Sequence, residues 1–150
     1  MTAKSPTQSF VLEPYVGAGK VRFGMRRSDV SALLGVPDVV DLSGLGERNE
    51  YRGALRVAFQ ASDETVAELG FTPECDVFLR GVPLFSTDDP VAFLRGIDAR
   101  PQLLFGFLIF QALGLTITGF HDRDVSQRAV CLFAKGRFDR FSADMTAYMP

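Results

Sequence analysis

The sequence predicts an α+β fold: a mostly antiparallel sheet of about six to eight strands with two or three short helices on one face. Three observations predict it. Apolar residues fall in short runs broken by Gly, Pro, Asp and Ser, as in strands joined by tight turns. Helix-like spacing is confined to brief stretches after Ser28, after Asp89 and near the C-terminus. Finally, Val30-Ser31-Ala32-Leu33-Leu34-Gly35 is echoed by Val91-Ala92-Phe93-Leu94-Arg95-Gly96. The echo predicts tandem pseudo-repeats over about 20–80 and 81–141 within a single domain of residues 10–150, after a flexible tail over 1–9.

Taken in order, Phe10 to Leu12 starts a strand that Pro14 stops. Gly17-Ala18-Gly19 reads as a turn, and Lys20 to Phe23 alternates as an edge strand does. Ser28 is placed to cap a helix whose apolar face is Val30, Leu33 and Leu34. Gly35 and Pro37 end that helix. Val39 to Leu42 predicts a short strand and Ser43 to Asn49 a loop. Tyr51 to Gln60 reads as one strand and Thr65 to Phe71 as its hairpin partner, with Ala67, Leu69 and Phe71 facing one side. Asp76 to Leu79 is a further strand.

Thr87, Asp88 or Asp89 then caps a helix with Pro90 in its first turn and Val91, Leu94 and Ile97 on one face. Leu103 to Phe110 reads as one central strand, apolar on both faces, followed by Leu115 to Phe120 and Ala129 to Ala134. Phe138, Phe141, Met145 and Tyr148 are spaced for one face of a C-terminal helix starting near Ser142.

Composition narrows the function classes. The chain is 47% hydrophobic and 23% charged, the balance of a folded domain. A net charge of −2 lacks the basic excess of a general nucleic-acid binder. The densest apolar run, Leu103 to Leu115, is shorter than the roughly 20 residues of a membrane-spanning helix, so neither nucleic acid nor membrane is expected as a partner. Met1 to Ser9 is polar, without the apolar core of a secretory signal, so a cytoplasmic location is expected. Cys75 and Cys131 lie far apart without metal-ligand spacing and read as reduced thiols, and no cofactor or metal is expected.

Catalytic motifs are sparse. Gly17-Ala18-Gly19-Lys20 lacks the glycine spacing and the Ser or Thr of a phosphate loop. His121, the sole histidine, stands beside Asp122 and Asp124. That grouping reads either as a small hydrolase's base with its carboxylate or as a solvated hairpin tip. The phenylalanine-rich second half reads as core, or as the wall of an apolar-ligand carrier. The loop carboxylates Asp41, Glu47, Glu50, Asp63 and Glu64, with His121, Asp122 and Asp124, are candidate contacts for a basic protein partner. In the repeat alignment the turn at Asp63-Glu64 matches that at Asp122-Asp124, which predicts tips projecting from one side.

The phrase Val21-Arg22-Phe23-Gly24-Met25-Arg26-Arg27-Ser28-Asp29-Val30, closing in Leu33-Leu34-Gly35-Val36-Pro37, resembles a strand, Gly-Met, helix, Leu-Gly-x-Pro phrase. It is similar to that of the small bacterial outer-membrane assembly lipoproteins and of the β-lactamase-inhibitor-like fold, built from tandem helix and sheet units. It also resembles the opening of small bacterial proteins encoded as immunity partners of secreted toxins. The first cysteine is Cys75, so the lipid-bearing cysteine of the lipoproteins has no counterpart near Met1. The resemblance implies a non-catalytic toxin inhibitor that acts by occlusion, and it carries over no site residue.

Overall fold

The computed structural model describes residues 8–149, so most of the tail expected over 1–9 lies outside the described residues. The strands are β1 (Ser9–Glu13), β2 (Gly17–Ala18), β3 (Val21–Arg22), β4 (Val39–Leu42), β5 (Arg48–Arg52), β6 (Leu55–Phe59) and β7 (Val66–Phe71). After them come β8 (Asp76–Leu79), β9 (Val82–Pro83), β10 (Gln102–Leu104), β11 (Phe107–Phe110), β12 (Leu115–Thr118), β13 (Ala129–Phe133) and β14 (Thr146–Ala147). Helix α1 spans Arg27–Leu34 and α2 spans Pro90–Arg95, and short 3₁₀ segments cover Val125–Gln127 and Asp139–Asp144.

The fold is α+β. A nine-stranded sheet runs in the order β14-β10-β11-β12-β13-β7-β6-β5-β4, every neighbouring pair antiparallel. A five-stranded sheet, β3-β2-β1-β8-β9, contains one parallel pair, β1 with β8. Period-2 alternation sends Leu55, Val57 and Phe59 of β6, and Leu115 and Ile117 of β12, to one face of the large sheet. There they join Val30 of α1, Leu94 of α2 and Leu12, Val77 and Leu79 of the small sheet in the main core. The opposite face is covered in part by a second cluster, where Leu104, Ile109 and Phe133 meet Phe138, Phe141 and Met145.

The element order repeats: α1 leads into the meander β4 to β7, and α2 into the meander β10 to β13. The last strands of the two meanders, β7 and β13, pair antiparallel, Leu69 opposite Leu132. This pairing relates the meanders by an approximate two-fold axis normal to the sheet, so both helices lie on the same face.

Local chemistry explains most boundaries. Asp89 caps α2, its Oδ1 accepting from Ala92 N at 3.0 Å, and Pro90 occupies the first turn. Gly35 closes α1 and its N–H donates to Ser31 O. The start of α1 differs from expectation: Arg26 rather than Ser28 is the N-cap, and Asp29 Oδ2 accepts from the Arg26 amide at 3.0 Å.

Four further expectations need correction. The single strand expected over Tyr51 to Gln60 is two, β5 and β6, because Gly53 takes a φ of +57° and turns the chain. Likewise Leu103 to Phe110 is two strands, folded back at the exposed Phe105 and Gly106. The expected C-terminal helix is a 3₁₀ segment followed by β14: Phe138, Phe141 and Met145 pack on the second face, whereas Tyr148 packs against the main core. A bulge between Ala58 and Phe59 shifts the β6–β7 register, so Val66, Leu69 and Phe71 are the core-facing residues of β7.

Candidate functional site

The strand register sorts the connections to two ends of the large sheet. One end carries the turns at 43–47, 60–65, 111–114 and 134–137; the other carries 53–54, 72–75, 105–106 and 119–128. Asp63 and Glu64 therefore stand at the first end, and His121, Asp122 and Asp124 at the second. This corrects the expectation that equivalent tips share a side: a two-fold axis normal to the sheet sends equivalent tips to opposite ends.

Asp41 lies on β4, exposed, and its Oδ1 accepts from Asn49 Nδ2 at 3.1 Å. Glu47 is held by Arg137, whose two Nη atoms donate to its oxygens at 2.6 and 2.8 Å. Those bonds keep its carboxyl below the usual carboxylate range. Asp63 accepts from Thr65 N at 3.1 Å, Thr65 Oγ1 at 2.7 Å and Gln60 Nε2 at 3.0 Å, which lowers its pKa in the same way. Glu64 is exposed in the same turn.

Glu50 is no surface contact, contrary to expectation. It is 1% exposed, facing α1 from β5. Arg48 Nε lies 2.7 Å from its Oε2, Arg52 Nη2 2.9 Å from its Oε1 and Arg27 Nε 3.7 Å from its Oε2. The Arg52 contact has ion-pair distance without hydrogen-bond alignment. Arg52 Nε also donates to Gly35 O at 3.0 Å, so the cluster ties β5 to the end of α1.

At the other end, Asp122 Oδ1 accepts from Asp124 N at 3.2 Å and Asp124 Oδ1 from Ser126 Oγ at 2.6 Å. Both carboxylates are spent inside their own turn. The His121 ring leaves that turn and packs edge-on against Tyr148, centroids 5.8 Å apart. Among the described residues its Nδ1 has no hydrogen-bond partner, and no carboxylate there pairs with His121 in the way a hydrolase dyad would need. No cluster of three or more His, Cys, Asp and Glu side chains comes together among the described residues. Cys75 and Cys131 are both unpaired.

The residues missed by sequence reasoning lie on β4 and on the chain flanking it. Among the described residues, six of the eleven exposed large apolar side chains fall between Leu33 and Leu45: Leu33, Val36, Val39, Val40, Leu42 and Leu45. Leu42 is 70% exposed and Val36 86%. Among the described residues β4 is the outer strand of the sheet, with β5 on one side and no strand on the other. The opposite outer strand, β14, is only Thr146–Ala147, a length that itself discourages pairing. Asp41 was the one legible signal on β4.

Among the described residues, no helix is long and apolar enough to cross a membrane. Comparison of the chain with protein-family models, with curated proteins and with solved structures found no match.

Proposed function

We propose that this chain is a non-catalytic protein-binding module whose open β4 edge takes up a strand of a partner protein. The most concrete form is a cytosolic immunity protein, the partner being a toxin domain whose working cleft the docked module covers. The observation that carries the reading is the concentration of exposed apolar side chains on and beside a strand with one open edge. Soluble proteins blunt such edges with charge, proline or brevity, because free N–H and C=O groups beside apolar side chains recruit another strand. Here Val40 and Leu42 lie on the α1 side of β4 and Val39 on the other side, and Leu33 and Val36 are exposed on the chain that leads into the strand. A partner strand would gain main-chain hydrogen bonds from β4 and seat alternate side chains on this patch. Asp41 on β4 and the exposed Glu64 at the adjoining end offer charge to a basic rim.

The test is complex formation with the product of the gene adjacent to the one encoding this chain. A stoichiometric complex that protects cells from that product, and that is lost in V40K/L42K while the variant keeps its fold, supports the reading. Undiminished affinity in V40K/L42K counts against the β4 edge; an adjacent product that is neither bound nor neutralised counts against the immunity role. Sedimentation of the chain alone separates the alternative occupant, a second copy on the same edge, from the monomer expected here.

A further inference from the structure

A cleft of about 520 Å³ opens at the end of the sheet remote from the acidic turn at Asp63. Its walls come from the first turn of α2, the 119–128 connection and Tyr148. Arg95, Arg123, Arg128 and His121 all line it. None of these three arginines forms an ion pair among the described residues.

Among the described residues, the buried side-chain polar atoms without a hydrogen-bond partner fall in two places. Glu50 Oε1 and the Arg52 Nη atoms belong to the ion-pair cluster under α1, where opposite charge compensates them. The others, Arg95 Nε, Arg128 Nε and His121 Nδ1, all belong to side chains lining this cleft. A buried donor left without an acceptor is unfavourable, and the described residues supply neither a hydrogen-bond acceptor for these Nε atoms nor a carboxylate for the Arg95 and Arg128 guanidinium groups.

The donors are also held in place. Arg128 Cζ lies 5.0 Å from the Phe120 ring centroid and Arg95 Cζ 6.0 Å from that of Tyr148. Phe120 is backed by Phe85, the rings stacked at 5.9 Å. A guanidinium set against an aromatic face keeps its N–H edge free for a planar or tetrahedral anion. Of the two carboxylates lining the cleft, Asp89 is engaged in capping α2 and Asp88 is exposed.

We propose that this cleft binds a phosphate-type oxyanion carried on a small organic molecule. Arg95 and Arg128 donate to the oxyanion together with His121, Arg123 adds positive charge, and Phe120, Val91 and Val125 flank the organic part. The cleft falls in the size range of small-molecule sites and exceeds what a bare phosphate fills. Charge-assisted hydrogen bonds from fixed guanidinium groups supply the selectivity for an oxyanion.

His121 is the sole histidine, so its imidazole resonances report on this cleft alone. Inorganic phosphate, pyrophosphate, adenosine monophosphate and uncharged adenosine are titrated at constant ionic strength while those resonances are followed. The proposal expects saturable shifts with the three phosphate compounds, none with adenosine, and tightest binding for adenosine monophosphate. R95Q and R128Q each weaken that binding about tenfold or more. The absence of a saturable shift at millimolar phosphate compounds, an equal response to adenosine, or unchanged affinity in R128Q overturns it. If a variant does not fold, the contrast between adenosine monophosphate and adenosine on the natural protein decides the matter alone.

Discussion

Replacing Glu50 by Gln deletes the carboxylate that faces three guanidinium groups, at 2.7, 2.9 and 3.7 Å. The consequence differs for each arginine. The side chains of Arg48 and Arg27 are 27% and 43% exposed and turn to water when their partner goes, so each loses about 0–1 kcal/mol. Arg52 is buried and cannot. Stranding a buried charge costs about 3–5 kcal/mol. The surviving Nε bond to Gly35 O places Arg52 near the lower figure. E50Q is therefore expected to lose about 3 kcal/mol, which at this chain length lowers Tm by roughly 6–12 °C. Urea unfolding followed by far-UV circular dichroism measures it, since the chain has no Trp. The midpoint should fall with an unchanged slope. E50L/R52L, which removes both buried charges, should recover most of the loss. A loss below about 1 kcal/mol in E50Q would refute the reasoning, because it would mean that Arg52 reaches water.

Other outcomes follow from the same geometry. Arg137 holds the Glu47 carboxyl below its usual range, so this contribution is fully present above the ordinary carboxylate pKa of about 4.3 and disappears as pH falls through the lower folded value. The stability gap between the natural protein and E47Q should be constant from pH 7 to about 4.5 and close below it; a gap that persists to the acid limit contradicts the pairing. Burial, aided by Glu74 and Asp76, pushes the Cys75 thiol up to about 11. Cys75 should stay unreactive toward a disulfide reagent at pH 8 until the chain unfolds, and rapid native-state labelling would show otherwise. Gly119 has a φ of +80°, and a Cβ there would lie 2.5 Å from Asp124 O and 2.6 Å from Arg128 N. G119A should cost more than about 1 kcal/mol by thermal unfolding and should distort the connection carrying His121; a silent substitution would show that this loop yields.

What the sequence made legible, and what it hid, has physical causes. Leu55, Val57 and Phe59 alternate with Arg56 and Ala58, and Asp89-Pro90 marks a helix start, so β6 and α2 were both predicted. Arg48 to Arg52 has no apolar alternation because its inward positions carry Arg48, Glu50 and Arg52, whose burial is made possible by mutual charge. The same cluster removed Glu50 from the candidate surface. In Leu103 to Phe110 the apolar run continues through the turn, where Phe105 is exposed, so composition gave no sign of the reversal. The echo of Val30 to Gly35 in Val91 to Gly96 suggested two similar units but not the axis between them; the β7–β13 pairing sets that axis and sends the acidic tips apart. His121 was recognised as singular, yet its cleft-mate Arg95 lies on α2, Arg128 stands at the far end of its own connection, and its neighbours Asp122 and Asp124 turn away.

The most direct test is amide hydrogen exchange across Val39–Leu42, measured with the chain alone and in complex with the product of its neighbouring gene. The account predicts fast exchange for the outward amides of β4 in the free chain and strong protection in the complex, with the 119–128 connection unchanged. Protection confined to that connection, with β4 exchanging as before, would contradict it.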